Sequence, residues 1–216
     1  MKKLIILPAI LFAILLISGC NLLERRIPEN FDYGKAENGI YKNEFFNLEV
    51  RYPQEWVVQS KEQVDALREK GGDIVAGDNE SLKRAVKASE VNSAYLLTVF
   101  KYEVGAPVEF NPSFMVMAEN TKMVPGIKDG KDYLFHAKKL LEQTQLGYTI
   151  SDDFYHKKIG SKEFYVMEAS LSAGGMSVQQ EYMVTVLNGF SLAFVASYGN
   201  EEQKNELYSI IEKVSL

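Results

Sequence analysis

The sequence predicts an α+β domain built on an antiparallel sheet with helices over both faces, an α/β/α sandwich. Three stretches carry that prediction. Residues 178–198, VQQEYMVTVLNGFSLAFVASY, read as a β-hairpin because Asn188-Gly189 separates two runs rich in Val, Phe, Tyr and Thr. A type I′ turn needs positive φ at both central residues, and Asn-Gly adopts it at little cost. The two-residue loop then fixes a register: Leu187 faces Phe190, Thr185 faces Leu192 and Met183 faces Phe194. On the opposite face Val186 meets Ser191, Val184 meets Ala193 and Tyr182 meets Val195. Neither face is polar, so both need cover. Residues 95–102, YLLTVFKY, form a second run that is apolar on both faces. Cover is at hand in the C-terminal segment, where Leu207, Ile210, Ile211 and Val214 recur at the i, i+3, i+4, i+7 spacing of a helix.

The chain opens on MKKLIILPAILFAILLISGC, a short basic segment, an apolar run over residues 4–17, and Ser18-Gly19-Cys20. Fourteen apolar-rich residues are short for a membrane span and suit the core of a signal peptide. Ile17-Ser18-Gly19-Cys20 resembles a bacterial lipobox. That resemblance implies cleavage between Gly19 and Cys20, with diacylglyceryl transfer to the Cys20 thiol. Residues 20–39 carry Pro28, Gly34, Gly39 and mixed charges without a period, and read as a flexible tether. Such a tether would hold the domain on the order of 25 Å from the lipid. The domain itself is expected from residue 40 to 216.

Within it, Phe46, Leu48, Val50 and Tyr52 alternate with polar residues as a half-buried strand. Pro53 stops that strand, and a shorter one follows around Val57, with Trp56 as a core anchor. Ser60 and Gln63 form a capping box for a helix that Gly71-Gly72 is expected to end. Asp78 or Asn79 caps a second helix. Strands are expected at 95–102 and 114–118, then a loop from Met123 and a helix over 131–143. Tyr133, Ala137, Leu140 and Leu141 share one side of that helix. Two further strands, 148–156 and 164–171, precede the hairpin, and Asn200 caps the last helix with Gln203 in the capping-box position.

Composition narrows the function classes. The formal charge of −5 becomes −7 once residues 1–19 are removed, since Lys2 and Lys3 leave and no acid does. An acidic domain with dispersed lysines does not suit nucleic acid. Cys20 is the only cysteine, so the domain has no internal disulfide, no thiolate-ligated zinc and no cysteine nucleophile. Gly71-Gly72 and Gly174-Gly175 are bare doublets without a phosphate-binding pattern, and no GxSxG elbow occurs. His136 lacks an HExxH context. His156 follows Asp152 and Asp153, which as neighbours in a strand point to opposite faces. No metal or cofactor is therefore expected. Glu49, Glu142 and Glu168 read as solvated carboxylates, and the methionines Met115, Met117, Met123, Met167, Met176 and Met183 as core filler. Glu181 differs: it faces Ala196 on the side of Met183 and Phe194, and if buried it needs a partner.

Two sets of residues resemble the PsbP/Mog-like family. Tyr41, Phe46, Leu48, Val50, Tyr52-Pro53 and Trp56 follow the pattern Y-x4-F-x-L-x-V-x-YPxxW of its opening half. Gly160, Phe164, Ala173-Gly174-Gly175, Glu181-Tyr182, Asn188-Gly189-Phe190, Phe194 and Ser197-Tyr198 resemble its closing half. The resemblance implies an antiparallel sheet between helical layers and a role in binding rather than catalysis; no functional residue carries over.

The expectation is a lipoprotein on the extracytoplasmic face of a bacterial membrane, held by lipid on Cys20. It acts as a non-enzymatic binding or accessory module for a protein or other envelope component. Two alternatives stand beside it. One is an enzyme with a site dispersed around His136, His156 or Asp153; the other is a small-ligand carrier with a pocket lined by aromatics and methionines.

Overall fold

The computed structural model describes residues 26–89, 91–173 and 175–216; the leader, Gly19, Cys20 and Gly174 lie outside the described residues. Three short strands, β1 (Lys35–Glu37), β2 (Ile40–Asn43) and β3 (Leu48–Arg51), form a small antiparallel sheet in that order. β4 (Val57–Val58) begins the main sheet and leads to helices α1 (Lys61–Ala76) and α2 (Glu80–Ser89). β5 (Ser93–Phe100) and β6 (Ser113–Asn120) follow, then α3 (Gly130–Glu142). β7 (Thr149–Ile150), β8 (Tyr155–Ile159), β9 (Lys162–Ala173), β10 (Met176–Leu187) and β11 (Phe190–Tyr198) complete the sheet ahead of α4 (Glu201–Ile211). The main sheet runs β4-β5-β6-β11-β10-β9-β7, with β8 also paired to β9. All its pairings are antiparallel.

The central hairpin has the register expected from its turn, from Leu187 opposite Phe190 to Glu181 opposite Ala196. Asn188 and Gly189 take φ of 54° and 81°, the left-handed region that a type I′ turn requires. Its two faces feed two cores. Met183, Leu192, Phe194 and Ala196 join α4 residues Leu207, Ile210 and Ile211 together with Tyr41, Leu48, Val50 and Trp56. Tyr182, Val184, Ala193 and Val195 join Tyr133, Leu134, Ala137 and Leu141 of α3 and Leu67 of α1. The fold is α+β with helices over both faces. On the α4 side, the β1–β2–β3 sheet shares the cover. Placing valine at Gly189 should cost at least ~1 kcal/mol, because a β-branched residue resists positive φ. Its Cβ would also press on Lys122 Cβ at 3.2 Å. Thermal melting of the variant reads this directly; an unchanged curve would count against the turn.

Three features differ from expectation. The tether does not extend to residue 39. Phe31 is buried against the rings of Phe45, Phe46 and Phe190. The Asp32 carboxylate accepts from the backbone amides of Gly34, Glu44 and Phe45, and β1 pairs with β2. Packing begins at Ile27, whose amide donates to Val91 O at 3.0 Å. Gly71-Gly72 does not end α1, which continues through both glycines to Ala76. Both are buried, and a Cβ on Gly72 would stand 3.3 Å from Val86 of α2. The lost side chains let α1 and α2 approach closely, which offsets the intrinsic cost of glycine in a helix. The single strand expected over 148–156 is divided into β7 and β8, both on β9.

Candidate functional site

Glu181 is fully buried, and its partners come from two elements, β11 and α4. Tyr198, two residues past Ala196 on the same face of β11, donates its hydroxyl to Oε1 at 2.8 Å. Tyr208 of α4 donates to Oε2 at 2.5 Å. Lys204, one helical turn earlier, places Nζ 3.5 Å from Oε1. Burial first, and then the Glu181 carboxylate, push both phenols far above their usual range, so they remain donors. Lys157 of β8 sits with Nζ 3.5 Å from the centre of the Tyr208 ring, and burial pulls its ammonium down. Tyr155 and Glu168 extend the group to the surface, 3.3 Å apart. Every Glu181 oxygen is engaged and none is open to solvent. The cluster ties α4 to the sheet, and the geometry gives it no room for a substrate.

The cavity with unmet chemistry is elsewhere. A groove of about 320 Å³ lies between α1, the outer edge of β5, and Tyr33 with Gly34. β4 pairs with β5 only at Phe100 and Val99, and Gln59 N reaches Thr98 O. Among the described residues, no strand pairs with the β5 edge from Ser93 to Leu97. A bulge between Tyr95 and Leu97 bends the strand at this place. Among the described residues, three buried oxygens on groove-lining residues have no hydrogen-bond partner: Gln59 Oε1, Ser93 Oγ and Thr98 Oγ1. These residues are 7%, 9% and 3% exposed. Leaving such a group unmatched costs roughly 1–3 kcal/mol. At the rim Asp65 accepts from Lys61 at 2.8 Å and Arg68 at 2.9 Å, and the Arg68 guanidinium stands 4.8 Å from the Tyr95 ring centre.

The residues singled out from sequence are dispersed. His136 lies on α3 against Phe135, with its imidazole pulled down by burial and then by Lys139. His156 lies on β8 against Tyr165, 4.1 Å between ring centres. Asp152 pairs with Lys138 at 3.2 Å, and Asp153 is exposed. Glu49 bridges Lys42 and Arg51, while Glu142 and Glu168 are exposed. Among the described residues, no group of three His, Cys, Asp or Glu side chains is placed to hold a metal ion. No helix there is long and apolar enough to cross a membrane. Sequence reasoning missed Glu119, buried on β6 and accepting from Tyr133 and Asn92, and it missed the groove oxygens. Glu119 gives a signal in hindsight, one carboxylate at the end of a strand whose other residues are nearly all apolar.

No protein-family model matches the chain, and no curated protein does. Among solved structures, similarity is found to LpqN of Mycobacterium tuberculosis, described as involved in cell envelope biogenesis. That match has a TM-score of 0.44 and 17% identity, covering 78% of this chain and 82% of that one. A Pseudomonas aeruginosa protein of unknown function, PA94, gives a TM-score of 0.40 at 10% identity over 50% of this chain and 76% of its own. A Bacteroides thetaiotaomicron protein gives 0.40 at 11% identity, covering 78% of this chain and 44% of that one. Likenesses at this level carry no argument about function.

Proposed function

We propose that the protein is a lipid-tethered, extracytoplasmic binding module of a bacterial envelope, and that the groove beside β5 is where it holds its ligand. It acts without catalysis. The observation that carries the reading is the set of three buried, unmatched oxygens on Gln59, Ser93 and Thr98 within one groove. The oxygens are themselves covered, so a ligand would meet them only through side-chain rotation; it would then need hydrogen-bond donors, since Gln59 Oε1 accepts only and the hydroxyls do both. Tyr33, Tyr95, Leu96 and Leu97 add apolar wall, the mixture expected of a small-molecule or chain-segment site. The leader with its lipobox supports the tether, and the PsbP/Mog-like resemblance supports binding over chemistry. Among the described residues, no base is hydrogen-bonded to the Ser93 or Thr98 hydroxyl.

Thr98→Val tests the site. Removing an unmatched buried hydroxyl should leave the isolated domain as stable or more stable, by up to about 1 kcal/mol. Capture of envelope components by crosslinking in the native cell should fall, against wild type and a Cys20→Ala control. A Thr98→Val domain that melts lower, with capture intact, removes the groove from consideration. If the wild type retains no envelope component while the purified protein turns over a substrate, the binding reading itself is wrong.

A further inference from the structure

We infer that the end of the main sheet carrying the Asn188-Gly189 turn is a membrane-contacting surface, seated on the lipid that holds Cys20. This rests on the lipid-anchor reading above and adds an orientation to it. The chain joins the folded body at that end. Asn120 Nδ2 donates to Arg26 O at 3.0 Å, and Ile27 N donates to Val91 O at 3.0 Å. Asn120 lies opposite Phe190, and Thr121 N donates to Gly189 O at 3.1 Å, so the attachment point and the turn share one end. From Cys20 to Arg26 there are only six Cα steps, a reach of at most about 23 Å. The sheet from Asn120 to Ser113 is itself about 24 Å long. A lipid on Cys20 therefore keeps this end within one short tether of the headgroups and sets the β5–β6 connection, residues 101–112, at the far end.

The chemistry of the near end fits such a seat. Val91, Met123 and Phe45 are 44%, 41% and 36% exposed there. Asn188 Nδ2 binds Phe45 O at 2.7 Å and so fixes that phenylalanine beside the turn. Arg26 and Lys122 are exposed among them, and Arg25 precedes in the sequence. Apolar side chains flanked by a few cations are what the interface of an anionic bilayer accepts. Glu44, exposed beside Phe45, is an opposing charge, so contact depends on the apolar residues as well as on attraction.

Hydrogen exchange on vesicles of phosphatidylethanolamine and phosphatidylglycerol tests the orientation. The native lipoprotein is reconstituted, and in parallel the same chain with a free Cys20 thiol is coupled to maleimide-bearing lipid. Amides around 45, 91, 122–123 and 188–189 should exchange several-fold more slowly than in the untethered protein, and those of 101–112 at the same rate. Lys122→Glu combined with Met123→Asp should abolish the difference without detaching the protein. Equal rates at both ends, slowing confined to 101–112, or no slowing on vesicles of lipid alone while coupling is intact overturns the inference. The anchor reading fails separately, by mass: an unmodified Cys20 in native material refutes it, and the coupled chain still tests the surface.

Discussion

Replacing Glu181 by alanine is expected to lower stability by about 3 kcal/mol, since two tyrosine hydroxyls lose their acceptor and a cavity opens beneath α4. For a domain of this size that is roughly a 6–12 °C fall in Tm. Lys204 is 28% exposed at its side chain and can turn to water, so the loss stays below that of stranding a fully buried charge. Glu181→Gln keeps the volume and one acceptor oxygen, and should lose less than half as much. Tyr198→Phe and Tyr208→Phe should each cost about 1 kcal/mol. They should combine non-additively with Glu181→Ala, because the carboxylate is common to both bonds. An alanine variant that melts like wild type would falsify the assignment of this cluster as the tie between helix and sheet.

Gly130→Ala is expected to cost about 3 kcal/mol, at the top of the range for overpacking. A Cβ at this first residue of α3 would lie 2.1 Å from the carbonyl oxygen of Val184 and 2.8 Å from its carbon. Both are backbone atoms of β10 and cannot swing aside. The start of α3 must lift, taking Tyr133 and Leu134, which are fully buried, out of register with the sheet. Gly126→Ala is the control: its nearest neighbour would be His136 Nε2 at 3.9 Å, and its melting point should hold within the scatter of surface substitutions. Equal melting points for the two variants would show that α3 does not depend on this approach.

The parts of the fold legible in the sequence are those whose cause is local. Asn188-Gly189 imposes its turn whatever surrounds it, and the register follows from loop length alone. Asn200 caps α4 by accepting from Gln203 N at 3.0 Å, as expected. The return bond from Gln203, however, goes to Gly199 N instead of the cap residue. Asn79 and Ser60 likewise cap as their spacing suggests. What escaped has its cause at a distance. Residues 26–39 look like a spacer because their composition is that of one. Phe31 is held by Phe46 and Phe190, and nothing near it in the chain announces this. Gly71-Gly72 has the form of a helix stop, and only the presence of Val86 across from it makes it a contact. The need of Glu181 for a partner was legible, since register set it on an apolar face, but the identity of Tyr208 required knowing how α4 lies. Gln59, Ser93 and Thr98 are ordinary residues in ordinary strands. Their significance arises from a short β4 and a bulge in β5.

The strand lengths at the borders of the main sheet bear on how copies of the chain meet when they are crowded. An open strand at a sheet border invites a neighbour to extend the ladder into an aggregate. Here the outermost strands β4 and β7 are two residues each, too short to template such growth. β8, which also flanks β9, carries Lys157 and the exposed Lys158, and lysines on a border strand repel an identical partner. Where β5 runs past the end of β4, the segment carrying Tyr33 and Gly34 stands alongside it with α1. Short and cationic border strands thus disfavour growth through the ends of the main sheet.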